Sequence, residues 1–165
     1  MFLTRRVENL IAAEKERKLK EILVTLLIWI SQNSVFEITD PNEYPLPTLT
    51  FMSQNEIHYM ATNSTLDEAT FFRVRASYLP ETNTIYLPYD ANINTLHFES
   101  MLLHELVHHV QNINGISYPC NGHVEKDAYL LEVEYLLQKG VEDPYELMGL
   151  HPLTLIFLTQ CHTYR

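Results

Sequence analysis

Leu102-Leu103-His104-Glu105-Leu106-Val107-His108-His109-Val110 is the stretch on which the reading of this chain turns. It contains the pattern His-Glu-x-x-His. On a helix, residues four apart lie on one face a single turn from each other, so His104 and His108 can each aim a ring nitrogen at one ion. Glu105 is set about 100° further round the helix. From there it stays out of the ion's inner shell yet reaches a water beside it, which is where a general base is needed. With His104 taken as zero, Leu102, Leu103, Leu106, Val107 and Val110 fall at about 160° to 300°. The helix is therefore expected to bury one face and turn the motif residues toward a cleft. Two surface histidines on an ordinary acidic helix would be the bland account, and this separation of faces argues against it.

Outward from the motif, Asn94 or Thr95 is expected to cap the helix and Asn114-Gly115 to stop it near Asn112. Asn121-Gly122 opens the next helix and Lys139-Gly140 closes it. That second helix carries Glu125, Asp127, Glu132 and Glu134. A hydrolytic zinc site needs a third protein ligand and one open position. Glu125 is preferred, because it lies in the first turn, close to the returning loop. Its helical face continues through Ala128, Tyr129 and Glu132, and the small Ala128 lets two helices approach. Glu132 and Asp127 remain as alternatives. A donor for a developing oxyanion could come from Tyr118, His123, Tyr129 or His162. His109 suits a structural or supporting role, and His97 the rim of the cleft.

Upstream, Leu49 to Met52 reads as a strand, and Ser53-Gln54-Asn55-Glu56 is a capping box opening a short helix near Ile57 to Ala61. Thr65-Leu66-Asp67-Glu68 is a second such signal. Phe71 to Leu79 and Thr84 to Leu87, joined by Pro80-Glu81-Thr82-Asn83, read as a hairpin. Downstream, Asp143-Pro144-Tyr145-Glu146 combines an N-cap, a proline at the first helical position and an acid at the third. A last apolar helix is expected over Leu153 to Cys161. Near the N-terminus, Leu19, Ile22, Leu23, Leu26, Leu27 and Ile30 recur with helical spacing, and Val24, Ile28 and Trp29 make the other side apolar too. The apolar run from Ile22 to Ile30 is too short to span a membrane, which needs about 20 residues. It follows a long charged segment and has no A-x-A-like exit, so a core helix is a better reading than a signal or anchor.

The 165 residues fit one domain, 1–165, with a mixed α+β architecture. With 46% hydrophobic residues a packed core is expected. A net charge of −10 makes nucleic acid a poor partner. Neither G-x-G-x-x-G nor G-x-x-x-x-G-K-[ST] occurs, and there are only 4 glycines, which leaves no glycine-rich phosphate loop. Cys120 and Cys161 form no CxxC pair and no disulfide framework. Cys120 reads first as a loop-packing thiol in a reducing compartment, and otherwise as a disulfide partner of Cys161 or a zinc ligand closing the open position.

His104-Glu105-x-x-His108, followed by a helix bearing Glu125 and Ala128, resembles the zincin metallopeptidases, and among them the gluzincin type, in which a glutamate is the third ligand. The chain's compactness resembles small single-domain bacterial zincin-like proteins. The likeness covers about Phe71 to Gly140. Glu125 lacks the N-E-x-x-S-D setting of the large gluzincins, and the downstream metzincin histidine is absent, with Gln111 where that pattern has Gly. The resemblance implies a small sheet with a hairpin packed on the active-site helix, and a zinc held by His104, His108 and Glu125. It implies Glu105 as general base, and Thr84-Ile85-Tyr86-Leu87 as a strand edge that aligns an extended substrate.

The expected function is thus a zinc-dependent hydrolase, a metallopeptidase acting on a peptide or protein, with Zn²⁺ as cofactor. Neither nucleic acid nor membrane is expected as a partner, and the expected location is the cytoplasm. Two rivals are a non-catalytic zinc-stabilised interaction domain and a regulatory protease with a single partner substrate.

Overall fold

The computed structural model describes residues 2–64 and 74–161, with side chains in the first helix from Val7 onward. The expected cap at Thr65-Leu66-Asp67-Glu68, the first three residues of the Phe71–Leu79 strand and His162 lie outside the described residues.

Helix α1 (Phe2–Asn33) leads to strand β1 (Thr48–Met52) and helix α2 (Gln54–Thr62). The hairpin follows as β2 (Ser77–Leu79) and β3 (Thr84–Pro88). Among the described residues four helices follow: α3 (Leu96–Ile113), α4 (Asn121–Gln138), α5 (Pro144–Met148) and α6 (Pro152–Leu158). Helices gather around one three-stranded sheet, which is an α+β arrangement.

Local chemistry sets these limits. Ser53 accepts from Glu56 N–H while the Glu56 carboxylate accepts the Ser53 N–H at 2.8 Å, a complete capping box for α2. Thr95 caps α3 through Phe98 N–H, and Asp143 caps α5 with Pro144 at its first position. Asn83 turns the hairpin at φ 52°, and Gly115 and Gly140 take the positive φ that ends their helices.

The sheet order is β1-β3-β2. β3 pairs in parallel with β1 (Thr48 opposite Thr84) and antiparallel with β2 (Tyr78 opposite Ile85). This corrects the expected role of Thr84–Leu87. Both its hydrogen-bonding edges are occupied, so it cannot receive a substrate strand. Ile85 and Leu87 are fully buried, as a central strand requires.

The core lies between the sheet, α1, α3 and α4. α1 contributes Leu19, Leu23, Leu26, Leu27 and Ile30, while Ile28 on its other, apolar side stays exposed. Trp29 meets Tyr135 of α4 edge-on at 5.2 Å and donates its N–H to Gln138. α3 departs from the expected two-faced helix. Its apolar face is buried, and His104, Glu105 and Gln111 on the motif side are buried as well. α4 packs over that side, its fully buried Ala128 allowing the approach. α6 ends at Leu158 and not at Cys161, and Gln160 then passes against Gly122.

Candidate metal centre

His104 and His108 project from α3 toward the N-terminal part of α4, where Glu125 meets them. His104 Nε2 lies 3.2 Å from His108 Nε2 and 3.2 Å from Glu125 Oε2, and His108 Nε2 lies 3.6 Å from Glu125 Oε1. One donor atom from each of the three residues falls within 4.8 Å of the other two. Ligands at 2.0–2.1 Å around a tetrahedral zinc stand about 3.3 Å apart, so the donor set fits such an ion.

The outward nitrogens are fixed as well. His104 Nδ1 donates to Glu132 Oε2 at 3.1 Å, and Glu132 also accepts from Ser100 Oγ and from Arg75 Nη2. His108 Nδ1 donates to Gln111 Oε1 at 2.9 Å. The Gln111 amide can face only that way, because its Nε2 donates to Val124 O and Tyr118 O–H at 3.0 Å each. These partners hold a proton on each Nδ1, so that with a metal bound each imidazole would turn Nε2 to the ion as its lone-pair donor, the tautomer a metal ligand needs.

The electrostatics describe a cavity that wants a cation. Burial pulls His104 down, but hydrogen bonds to Glu125 and Glu132 outweigh it and carry it up to about 10. His108 is raised against burial by Glu125. Burial raises Glu125, but the two histidines hold it well below the carboxylate range. Burial likewise works against ionising Glu132, but Arg75 and His104 bring it down to about 2. A divalent ion can take the place of the protons that these carboxylates hold on the histidines.

Glu105 is 7% exposed, and its Oε2 accepts the backbone N–H of Tyr78 at 2.8 Å. Burial raises its pKa above the ordinary carboxylate value. The Tyr129 ring packs on His104 with centroids 4.3 Å apart. Burial and the nearby Glu125 charge raise its phenol, which keeps the O–H protonated. A cleft of about 1290 Å³ opens one turn upstream along α3, lined by His97, Phe98, Met101, Arg75 and Leu150.

The other sequence candidates are placed as follows. Glu132 supports His104 from behind and is not among the three converging residues. Asp127 accepts from Tyr118 O–H at 2.7 Å, which occupies both. His109 is fully buried and binds Pro45 O, a structural role. His97 lies on the cleft rim, bound to Leu147 O. His123 is exposed. Cys120 is no free thiol and closes no metal position, because it is bonded to Cys161. A separation of 41 residues carried no local signal for this pairing. Arg75, Ser100 and Gln111 were missed as supports. Gln111 was traceable, three residues after His108 and seven after His104 on one helical face, whereas Arg75 comes from another part of the chain.

A family model described as "Domain of unknown function (DUF6647)" matches residues 15–163. No curated protein and no solved structure matches the chain.

Proposed function

The chain belongs to the DUF6647 family, whose description names no activity, and from the site itself we propose that it is a zinc-dependent hydrolase of zincin-like fold, a metallopeptidase. The observation that carries this reading is the convergence of His104, His108 and Glu125 donors beside the buried carboxylate of Glu105. A site that only held an ion would have no use for a base in that position. When bound there, zinc would polarise the scissile carbonyl and acidify a water.

The chain's own residues do the rest. Glu105, anchored through Oε2, presents Oε1 to take a proton from water and pass it to the leaving amine. Its burial makes it a stronger base than an exposed carboxylate. The Tyr129 hydroxyl is the donor best placed for an oxyanion, because its ring already lies on His104. An extended peptide would pair with β2 in place of β3. Tyr78 N–H points to Glu105 and away from β3, so the outer edge of β2 runs beside the base, and the peptide would pair beyond the Tyr78 N–H that Glu105 holds. The neighbouring cleft would take a side chain.

No described helix is long and apolar enough to cross a membrane. The Cys120–Cys161 bond favours an oxidising compartment over the cytoplasm expected from the sequence. The test pairs metal analysis with Glu105→Gln. Oxidised wild type should carry about one zinc, the variant should keep it, and hydrolysis across a peptide library should fall by about 10²–10⁴. Equal cleavage by both proteins would remove Glu105 from the chemistry. Zinc without cleavage by either would favour the interaction domain.

A further inference from the structure

A second group of metal-ligating side chains stands apart from the centre described above. Cys120, His123 and Cys161 each offer a donor atom within 4.8 Å of the other two. Cys120 and His123 are three residues apart at the start of α4, close enough to reach one ion together. Cys161 arrives after α6. The disulfide is not the sole contact there. A Cβ on Gly122 would lie 2.3 Å from Gln160 O, so the first turn of α4 and the backbone next to Cys161 also touch directly. Breaking the S–S bond would leave both sulfurs facing each other and His123. Cys161 and His123 are exposed, which admits a reductant and an ion.

We propose that Cys120, His123 and Cys161 form a redox-gated second metal site: a disulfide clamp when oxidised, and a Cys₂His site for a soft divalent ion, zinc foremost, when reduced. A dithiol reductant attacks one sulfur, the S–S bond breaks, and a mixed disulfide forms. The dithiol's second thiol then displaces the remaining cysteine. The dithiol is oxidised to its own disulfide, and its two electrons and two protons leave Cys120 and Cys161 as thiols. On binding Zn²⁺ each thiol gives a proton to solvent, and His123 adds its imidazole, with a fourth position left to water. In both states the link ties α6 to the first turn of α4, next to the turn from which Glu125 reaches His104 and His108. The enzyme could then keep its third ligand in place in oxidising and reducing surroundings alike.

Cobalt(II) is the probe, since thiolate ligation gives it a charge-transfer absorption that histidine and carboxylate ligation do not. Oxidised full-length protein should bind about one cobalt without that absorption. Protein reduced with a phosphine should bind about two and show it. His123→Ala should weaken the thiolate-bearing site at least tenfold and leave the other unchanged. A His104→Ala, His108→Ala double variant should keep the thiolate absorption, so failure of the proposed catalytic centre would not be mistaken for failure here. Reduced protein that shows no absorption, or a His123→Ala variant with unchanged affinity, would overturn the proposal. Alkylation gives an independent reading. Zinc should slow iodoacetamide labelling of both reduced cysteines at least tenfold, and unprotected thiols would also refute the site.

Discussion

His104 is held at both ring nitrogens, and that double hold separates the roles of the carboxylates around it. Glu125 meets Nε2 and Glu132 meets Nδ1. Glu125→Ala should therefore cost the most zinc affinity in a competition titration. Glu132→Gln should cost about 10–100-fold, the usual weight of a partner that orients a ligand. Asp127→Ala, at a residue bound only to Tyr118 in this region, should cost little. Structural data showing Glu132 or Asp127 as the ligand would reverse this order.

The same groups predict how the metal-free protein responds to pH. His104 rises from 6.5 to about 10 on folding, so its contribution is full below about 6.5 and lost as pH climbs toward 10. Glu132 falls from 4.5 to about 2, so its contribution is full above about 4.5 and lost as pH drops toward 2. Thermal melts of chelator-treated protein should peak between about pH 4.5 and 6.5. Added zinc should restore the alkaline side, because it substitutes for the protons being lost. A metal-free melting temperature that keeps rising through pH 9 would contradict this account.

At the scale of elements, the site is a product of how α3 and α4 approach each other. Ala128 permits the close crossing, and Glu125 sits one turn earlier on the same face. Gly122 sets the other contact, with Gln160. Gly122→Ala must push that backbone away, so it should destabilise the protein by about 1–3 kcal/mol in denaturant titrations, as overpacking does. It should also weaken zinc binding, because Glu125 lies in the next turn. At the far end of α3, Thr95→Ala removes the hydroxyl that caps Phe98 N–H and should cost about 1 kcal/mol without touching metal affinity. Had Thr95→Ala and Gly122→Ala the same effect on zinc, the argument from position along these helices would fail.

Over the whole molecule, α1 acts as the floor on which the metal helix rests. Leu27 is fully buried in the shared core, and Leu27→Ala should cost about 2–5 kcal/mol. Arg75 ties the segment before β2 to Glu132 on α4 through a buried ion pair at 2.9 Å. Removing Arg75 leaves that carboxylate with His104 as its remaining positive partner, and the unfolding free energy should fall by about 3–5 kcal/mol. Zinc should stabilise the wild-type fold by about 2.7 kcal/mol when free zinc is 100 times its dissociation constant. That increment should vanish in His104→Ala, as calorimetry with and without a chelator would show.

The chain of residues alone determined whatever depends on near neighbours. Ser53 with Glu56, Asp143 with Pro144, and Gly115 and Gly140 marked helix limits, because caps and positive-φ stops are made within one turn. His104, Glu105 and His108 stood out because helix geometry fixes their relative angles before any tertiary contact forms. Tertiary structure decided what depends on partners distant in sequence. Thr84–Leu87 became a central strand because β1, more than thirty residues away, took its second edge. Glu125 joined the histidines while Glu132 went behind one of them, a choice set by the packing of α4 on α3. Cys161 found Cys120 because Gly122 let Gln160 come close. Periodicity encodes which face a residue occupies, but only the assembled core fixes which face meets which.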